Sequence, residues 1–327
     1  MRKLVVKTAV FLLPFILLFT LFFSFETSDY FGLRGNPTYN SRPVSSMRKV
    51  LMNHPSRAVF GDSRIANTNM DYVKEVTGLD YTMLGFGGAS LADCIDLFWF
   101  TAENTELEEV VFSINFYSAW GEQQSTRIPQ VTGRATNVFE YVPRINYWIE
   151  AAYSAKCAAV NVLADVLNHP EWAVYPEDPT DYTAEQNIPQ ERGEKYRKNL
   201  EDYAAIINSN LPDVWWITYE TYQQLYEIAD YCDSHDIHLI FVFPPLQDSI
   251  YELVIEARGF DEEIDKLKNN LKSVADVYDM QFRNDFSANE DYFFDGFHLA
   301  SAQKKDLARW IFANEESEYI VRYYREG

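Results

Sequence analysis

Val59-Phe60-Gly61-Asp62-Ser63-Arg64 is the stretch on which the reading of this chain turns. The apolar residues Ala58 to Phe60 stop at a glycine and an aspartate, and a serine stands where the next helix opens. A short buried strand that ends this way puts a hydroxyl and a backbone N–H above its carboxyl end, where open α/β sheets place their ligands. The same residues also read as a plain helix cap, since Asp and Ser are both favoured there.

Working outward, similar apolar runs end in turn chemistry: Tyr81 to Leu84 before Gly85, Val110 to Ile114 before Asn115, His238 to Phe243 before Pro244-Pro245, and Val277 to Phe282. They have the character of buried parallel strands. Helical patterns lie among them at Leu91 to Glu103, Tyr222 to Ser234, Glu262 to Ala275 and Ser301 to Ala313. Strand and helix alternate, which predicts an α/β three-layer sandwich with a central parallel sheet. Residues from about 120 to 219 interrupt the alternation with helical patterns at Asn146 to Leu167 and Glu185 to Ser209 around Pro170, Pro176 and Pro179, and read as a helical insertion over the sheet.

Before the first strand lies an 18-residue run without a charge, Thr8 to Phe25, preceded by Arg2, Lys3 and Lys7. Such a run reaches about 27 Å as a helix, near the thickness of a bilayer's hydrocarbon core. It predicts a transmembrane anchor over 1–25 with its basic tip cytoplasmic and the rest outside. A cleavable signal peptide is the competing reading, though Phe23-Ser24-Phe25 lacks the small residues a signal peptidase requires. Residues 26–50, polar and carrying Gly32, Gly35, Pro37 and Pro43, read as a stalk, and 51–327 as the folded domain.

Composition narrows the function classes. The 28 basic and 49 acidic residues give a net charge of −21, which repels phosphate backbones and argues against nucleic-acid binding. Three widely separated cysteines exclude a disulfide framework and a four-cysteine zinc site.

Chemistry gathers at a few places. A serine nucleophile needs a base, and an imidazole base needs a carboxylate to hold its tautomer. Of five histidines only His298 has an aspartate three residues before it, in Asp295-Gly296-Phe297-His298. The loop Leu84 to Ser90, with Gly85, Gly87 and Gly88, either offers backbone N–H groups to a developing oxyanion or is a strand-to-helix turn that needs glycine. Asn115 ends the third strand, as an amide donor or as a polar strand terminator.

Gly61-Asp62-Ser63, the Gly85–Gly88 loop, Asn115 and Asp295-x-x-His298 resemble, in order and in placement after successive strands, the four blocks of the SGNH (GDSL-like) hydrolase superfamily. Met83 stands where the second block usually opens with Asn, and Ser113-Ile114-Asn115-Phe116 where the third usually reads Gly-x-Asn-Asp. With its anchor the chain looks like the membrane-tethered branch, which includes the D-alanine transfer protein of teichoic acid synthesis and the SGNH proteins of exopolysaccharide acetylation. The resemblance covers roughly 56–120 and 235–315 and implies an SGNH/flavodoxin-like sheet. It implies Ser63 as nucleophile, His298 as base, Asp295 as its orienting partner, and the N–H groups of Ser63 and Gly88 with the Asn115 amide as oxyanion donors. The implied activity is serine-dependent acyl transfer, of acetyl foremost, to a cell-surface polysaccharide or teichoic-acid-like polymer. A carbohydrate esterase and a non-catalytic partner of a membrane-bound O-acyltransferase are the alternatives. No cofactor and no metal are implied.

Other residues carry weaker signals. His235 and His238 flank Asp236 and read as a helix-end cap ahead of a metal pair, because no third ligand motif accompanies them. Trp215-Trp216 and the tyrosines of the insertion suit either core packing or stacking on sugars. Cys94 reads as buried and inert.

Overall fold

The computed structural model describes residues 1–33, 42–121, 127–173 and 194–325. By its contacts the chain forms two compact units, one of Met1–Arg48 with Gln130–Pro179 and one of Lys49–Pro129 with Thr180–Gly327. The stretch expected as one insertion, about 120–219, is therefore shared between them.

In chain order the helices are α1 (Arg2–Phe25), α2 (Arg42–Asn53), α3 (Ser63–Ala66), α4 (Met70–Thr77), α5 (Leu91–Asn104), α6 (Phe116–Ala119), α7 (Ile128–Thr136), α8 (Val138–Tyr141), α9 (Ile145–Leu167), α10 (Glu194–Asn210), α11 (Tyr219–Ser234), α12 (Asp248–Ile250), α13 (Asp261–Lys272), α14 (Asp285–Ala288) and α15 (Ser301–Phe312). The strands are β1 (Arg57–Phe60), β2 (Thr82–Met83), β3 (Glu109–Ser113), β4 (His238–Phe243), β5 (Asp276–Asp279) and β6 (Val321–Tyr323).

The second unit is built on one sheet of order β2-β1-β3-β4-β5-β6. The first five strands are parallel, with Phe60 beside Phe112 and Phe112 beside Phe241. The expected all-parallel sheet needs one correction: β6 adds to the edge antiparallel, Tyr278 opposite Arg322. It follows α15 after a short connection, and a parallel strand would need a full crossover.

Side chains of a strand alternate between faces. On one face Val59, Val111, Ile240, Val242 and Tyr278 pack with Val73 of α4 and with Leu307, Ile311 and Phe312 of α15. On the other, Phe60, Phe112 and Phe241 form a row of rings about 6 Å apart, covered by Phe98 of α5. There α13 sends Lys268 to the Asp279 carboxylate at 2.9 Å, an ion pair nearly closed to solvent. Helices on both faces of a mostly parallel sheet make the α/β sandwich that the alternation predicts.

In the first unit α1 is long and apolar enough to span a membrane over Val6–Phe25. Its last turn is stitched to its own unit. Phe22 is fully buried and stacks on Trp148 at 4.2 Å. The buried Glu26 carboxylate accepts from the Tyr141 hydroxyl at 2.6 Å and from the N–H groups of Ser28 and Tyr30. The expected stalk departs from the reading too, since α2 occupies its end. Val44, Met47 and Val50 are buried at three-residue steps, a helical period hidden by Ser45, Ser46, Arg48 and Lys49 between them. Residues 185–193 of the expected helix Glu185 to Ser209, and the prolines at 176 and 179, lie outside the described residues.

Candidate active site

The chain passes from β1 to β2 on one side and then to β3 on the other, so the carboxyl ends of β1 and β3 flank the crevice where the strand order reverses. Asp62 caps α3 there, its side chain accepting from the Arg64 N–H, and Ser63 is the first helical residue. Gly61 makes the turn possible. Its φ of +152° suits glycine, and a Cβ on it would lie 2.6 Å from Ile65 and 2.7 Å from Ser113.

His298 Nε2 lies 2.7 Å from Ser63 Oγ, and His298 Nδ1 lies 2.7 Å from Asp295 Oδ2. A carboxylate only accepts, so Nδ1 donates to it and the neutral ring accepts the Ser63 hydroxyl proton at Nε2. The Asp-x-x-His turn positions itself: Asp295 Oδ1 accepts from the N–H groups of Phe297 and His298 at 3.0 and 2.8 Å, and the Phe294 N–H donates to the His298 carbonyl at 2.7 Å. Burial alone would raise the Asp295 carboxyl, but the His298 imidazole and these two amides outweigh it and hold the group below its ordinary range. Residues 63, 295 and 298 thus meet as one hydrogen-bonded chain of hydroxyl, imidazole and carboxylate, the arrangement a serine nucleophile would require.

Asn115 is buried in the same crevice. Its Nδ2 donates to Asp62 Oδ2 at 2.5 Å, and its Oδ1 accepts from Arg64 Nη1 and caps α6 through the Tyr117 N–H, both at 3.1 Å. One N–H of its amide is thus committed to Asp62.

The structure adds Arg64, which sequence reasoning passed over. Its guanidinium is buried, donating to Asn115 and to the carbonyls of Pro244 and Pro245, so it ties the ends of β1, β3 and β4 together. Burial pulls its pKa down to about 10, against the opposing pull of Asp62. The available signal was position: a cation one residue after the serine, in a first helical turn that must face the sheet.

The glycine loop after β2 packs backbone to backbone on the β1 turn, and a Cβ at Gly85 would sit 2.5 Å from the Gly61 oxygen. The Phe86 N–H donates to that oxygen at 3.0 Å. Gly88 is exposed, at a φ of 65°, and Arg127 donates to its carbonyl. The same arginine pairs with Asp93, whose carboxylate completes the capping box of α5. A groove of about 450 Å³ runs between α10 and the segment before His298, lined by Tyr196, Leu200, Tyr203, Ile206, Phe294 and Asp295.

His235 ends α11 with Nδ1 2.8 Å from the Tyr231 carbonyl, and His238 pairs with Asp276 at 2.9 Å. Trp215 is core, donating to the Phe116 carbonyl at 2.9 Å, whereas Trp216 is partly exposed. Cys94 is buried and its thiol is pushed up by that burial. Among the described residues no group of three His, Cys, Asp or Glu side chains suits a metal ion. No family model matches the chain, and no curated protein matches it.

Proposed function

We propose that this chain is a membrane-anchored serine acyltransferase of the SGNH type that carries an acyl group, acetyl foremost, to a hydroxyl of a cell-surface polysaccharide or teichoic-acid-like polymer. The observation that carries the reading is the chain Ser63–His298–Asp295, two contacts of 2.7 Å, at the crevice of an α/β sheet. Ser63 Oγ attacks the acyl carbonyl of an ester or thioester donor while His298 Nε2 takes its proton. The leaving group departs with that proton, leaving an ester on Ser63. His298 then deprotonates the acceptor hydroxyl, which attacks this ester and returns Ser63 with its proton. The N–H groups of Ser63 and Gly88 and the second N–H of the Asn115 amide are the oxyanion donors. The groove beside Asp295, with Tyr196, Tyr203 and Phe294, is where the acceptor lies. Arg2, Lys3 and Lys7 keep the amino terminus cytoplasmic, so the sheet-bearing unit works outside the membrane.

The test pairs chemistry with cells. Intact-protein mass spectrometry of protein given an activated acyl ester should find one acyl group on the wild type and none on Ser63→Ala. Deleting the gene should lower acylation of the surface polymer, and Ser63→Ala should fail to restore it. A rise in polymer acylation on deletion would mean a hydrolytic esterase. Full restoration by Ser63→Ala would mean a non-catalytic partner of a membrane-bound acyltransferase.

A further inference from the structure

The two sides of α9 have different surroundings. Ala151, Ser154 and Cys157 recur at helical spacing and are buried, and the helix that α9 contacts most is α1; Trp148, five turns before Val166 and so at the edge of the opposite side, also meets α1, edge-on to Phe19 at 5.4 Å. On the other side Ile145, Ile149, Leu163 and Val166 are 67, 61, 51 and 75% exposed. At 3.6 residues per turn these four fall within an arc of about 100°. One charge, Lys156, stands among them, and its Nζ is 5.9 Å from the Tyr153 ring centroid. Water does not account for this side, because a helix face in contact with water is polar, and contiguous exposed apolar surface marks an interaction site.

The neighbour identifies the occupant. Over Val6–Phe25 α1 has a mean hydropathy of 2.4, and only 6% of that window is buried within the protein, so whatever packs along α1 adjoins lipid. A second crossing is excluded for α9 by Glu150, Lys156 and Asp165, spread along its length, each of which would be costly in the hydrocarbon. A helix with one apolar face, its acidic residues Glu150 and Asp165 on the opposite side, lies in the interface plane, where Trp and Tyr are at home and the Lys156 stem can run along the apolar surface with its ammonium in the headgroups.

We infer that α9 is a membrane-interfacial helix that lays its Ile145, Ile149, Leu163 and Val166 side into the boundary between acyl chains and headgroups beside α1. The inference rests on α1 spanning the bilayer. The anchor of this protein is then a pair of helices, one crossing and one lying in the surface.

Full-length protein in phospholipid vesicles, carrying a single environment-sensitive fluorophore on a cysteine introduced at Ile149, Leu163 or Val166, tests this, the three native cysteines being buried. Labels at Leu13 in α1 and at Asp202 in α10 report lipid and water respectively. The α9 labels should be quenched severalfold more by spin-labelled lipid than by aqueous iodide, following Leu13. Iodide quenching at α9 with lipid quenching at Leu13 overturns the inference alone, and iodide quenching at both overturns the anchor on which it rests. Protection of α9 from both quenchers also overturns it, since a protein partner or a second copy would then cover the face.

Discussion

At the residue scale, Asp295 is held by two backbone amides and the His298 ring, and Arg64 by the ends of β3 and β4. Asp295 Oδ1 is pinned by two backbone N–H groups, so an asparagine there must keep its carbonyl on them and turn its NH₂ toward His298 Nδ1. That forces the imidazole proton onto Nε2, facing Ser63, where the ring can no longer act as base. Asp295→Asn is therefore expected to cost on the order of 10⁴ in kcat with the fold intact, measured with an aryl acetate alongside circular dichroism. A loss below tenfold would show that Asp295 does not set the tautomer. Arg64→Met takes the guanidinium from the carbonyls of Pro244 and Pro245 and leaves Asn115 Oδ1 with the Tyr117 N–H alone. A buried acceptor left without its donor costs about 1 to 3 kcal/mol, so the unfolding free energy from a urea titration should fall by at least that much. Arg64→Lys should recover only part of it, because one ammonium cannot repeat the spread of a planar fork.

At the scale of elements, the tightest fit is between the turns after β1 and β2. Gly85→Ala drives a Cβ into the Gly61 backbone, where nothing can move without displacing Ser63. It should lower both stability and turnover, whereas Gly78→Ala, with no atom within 4 Å of the added carbon, pays only for its positive φ and should leave turnover unchanged. Equal losses of turnover in the two variants would refute the close-approach argument. These turns were legible in the sequence because each is local: an apolar run, a glycine, a polar residue with one structural duty. Strands β1, β3 and β4 were legible for the same reason, since residues buried on both faces leave apolar runs, and β5 was legible from Val277-Tyr278 although Asp279, paired with Lys268, interrupts its run. β6 was not, because its Val321 and Tyr323 are partly exposed on an edge and Arg322 lies between them. Nor was α2, whose apolar stripe is one residue wide.

At the scale of the whole molecule, sequence showed the alternation that makes the sheet but not the division of labour between units. The pattern Asn146 to Leu167 marks a helix without saying what it packs on, because an apolar stripe carries no address. Only contacts reveal that α9 belongs with α1, and that His298, 235 residues beyond Ser63, closes on it. Long-range pairing also decides the pH dependence of the fold. His238 opens β4 between the first residues of its two neighbours, with Nδ1 3.9 Å from Glu109 of β3 and Nε2 2.9 Å from Asp276 of β5. At 3.9 Å Glu109 acts through its charge; it raises the imidazole most, partial burial opposes it, and Asp276 adds to it, bringing the pKa to about 9. A histidine raised above its unfolded value of roughly 6.5 stabilises the fold fully below that pH, and the contribution disappears as pH climbs through the folded value. The ring is half-exposed, so solvent screening leaves about 1 kcal/mol of this. Unfolding free energy should therefore fall by about that amount between roughly pH 6.5 and 9, and His238→Gln, which cannot titrate, should flatten that part of the profile. A wild-type profile that stays level or rises across the window would mean that the two carboxylates do not hold the imidazole charged in the folded protein.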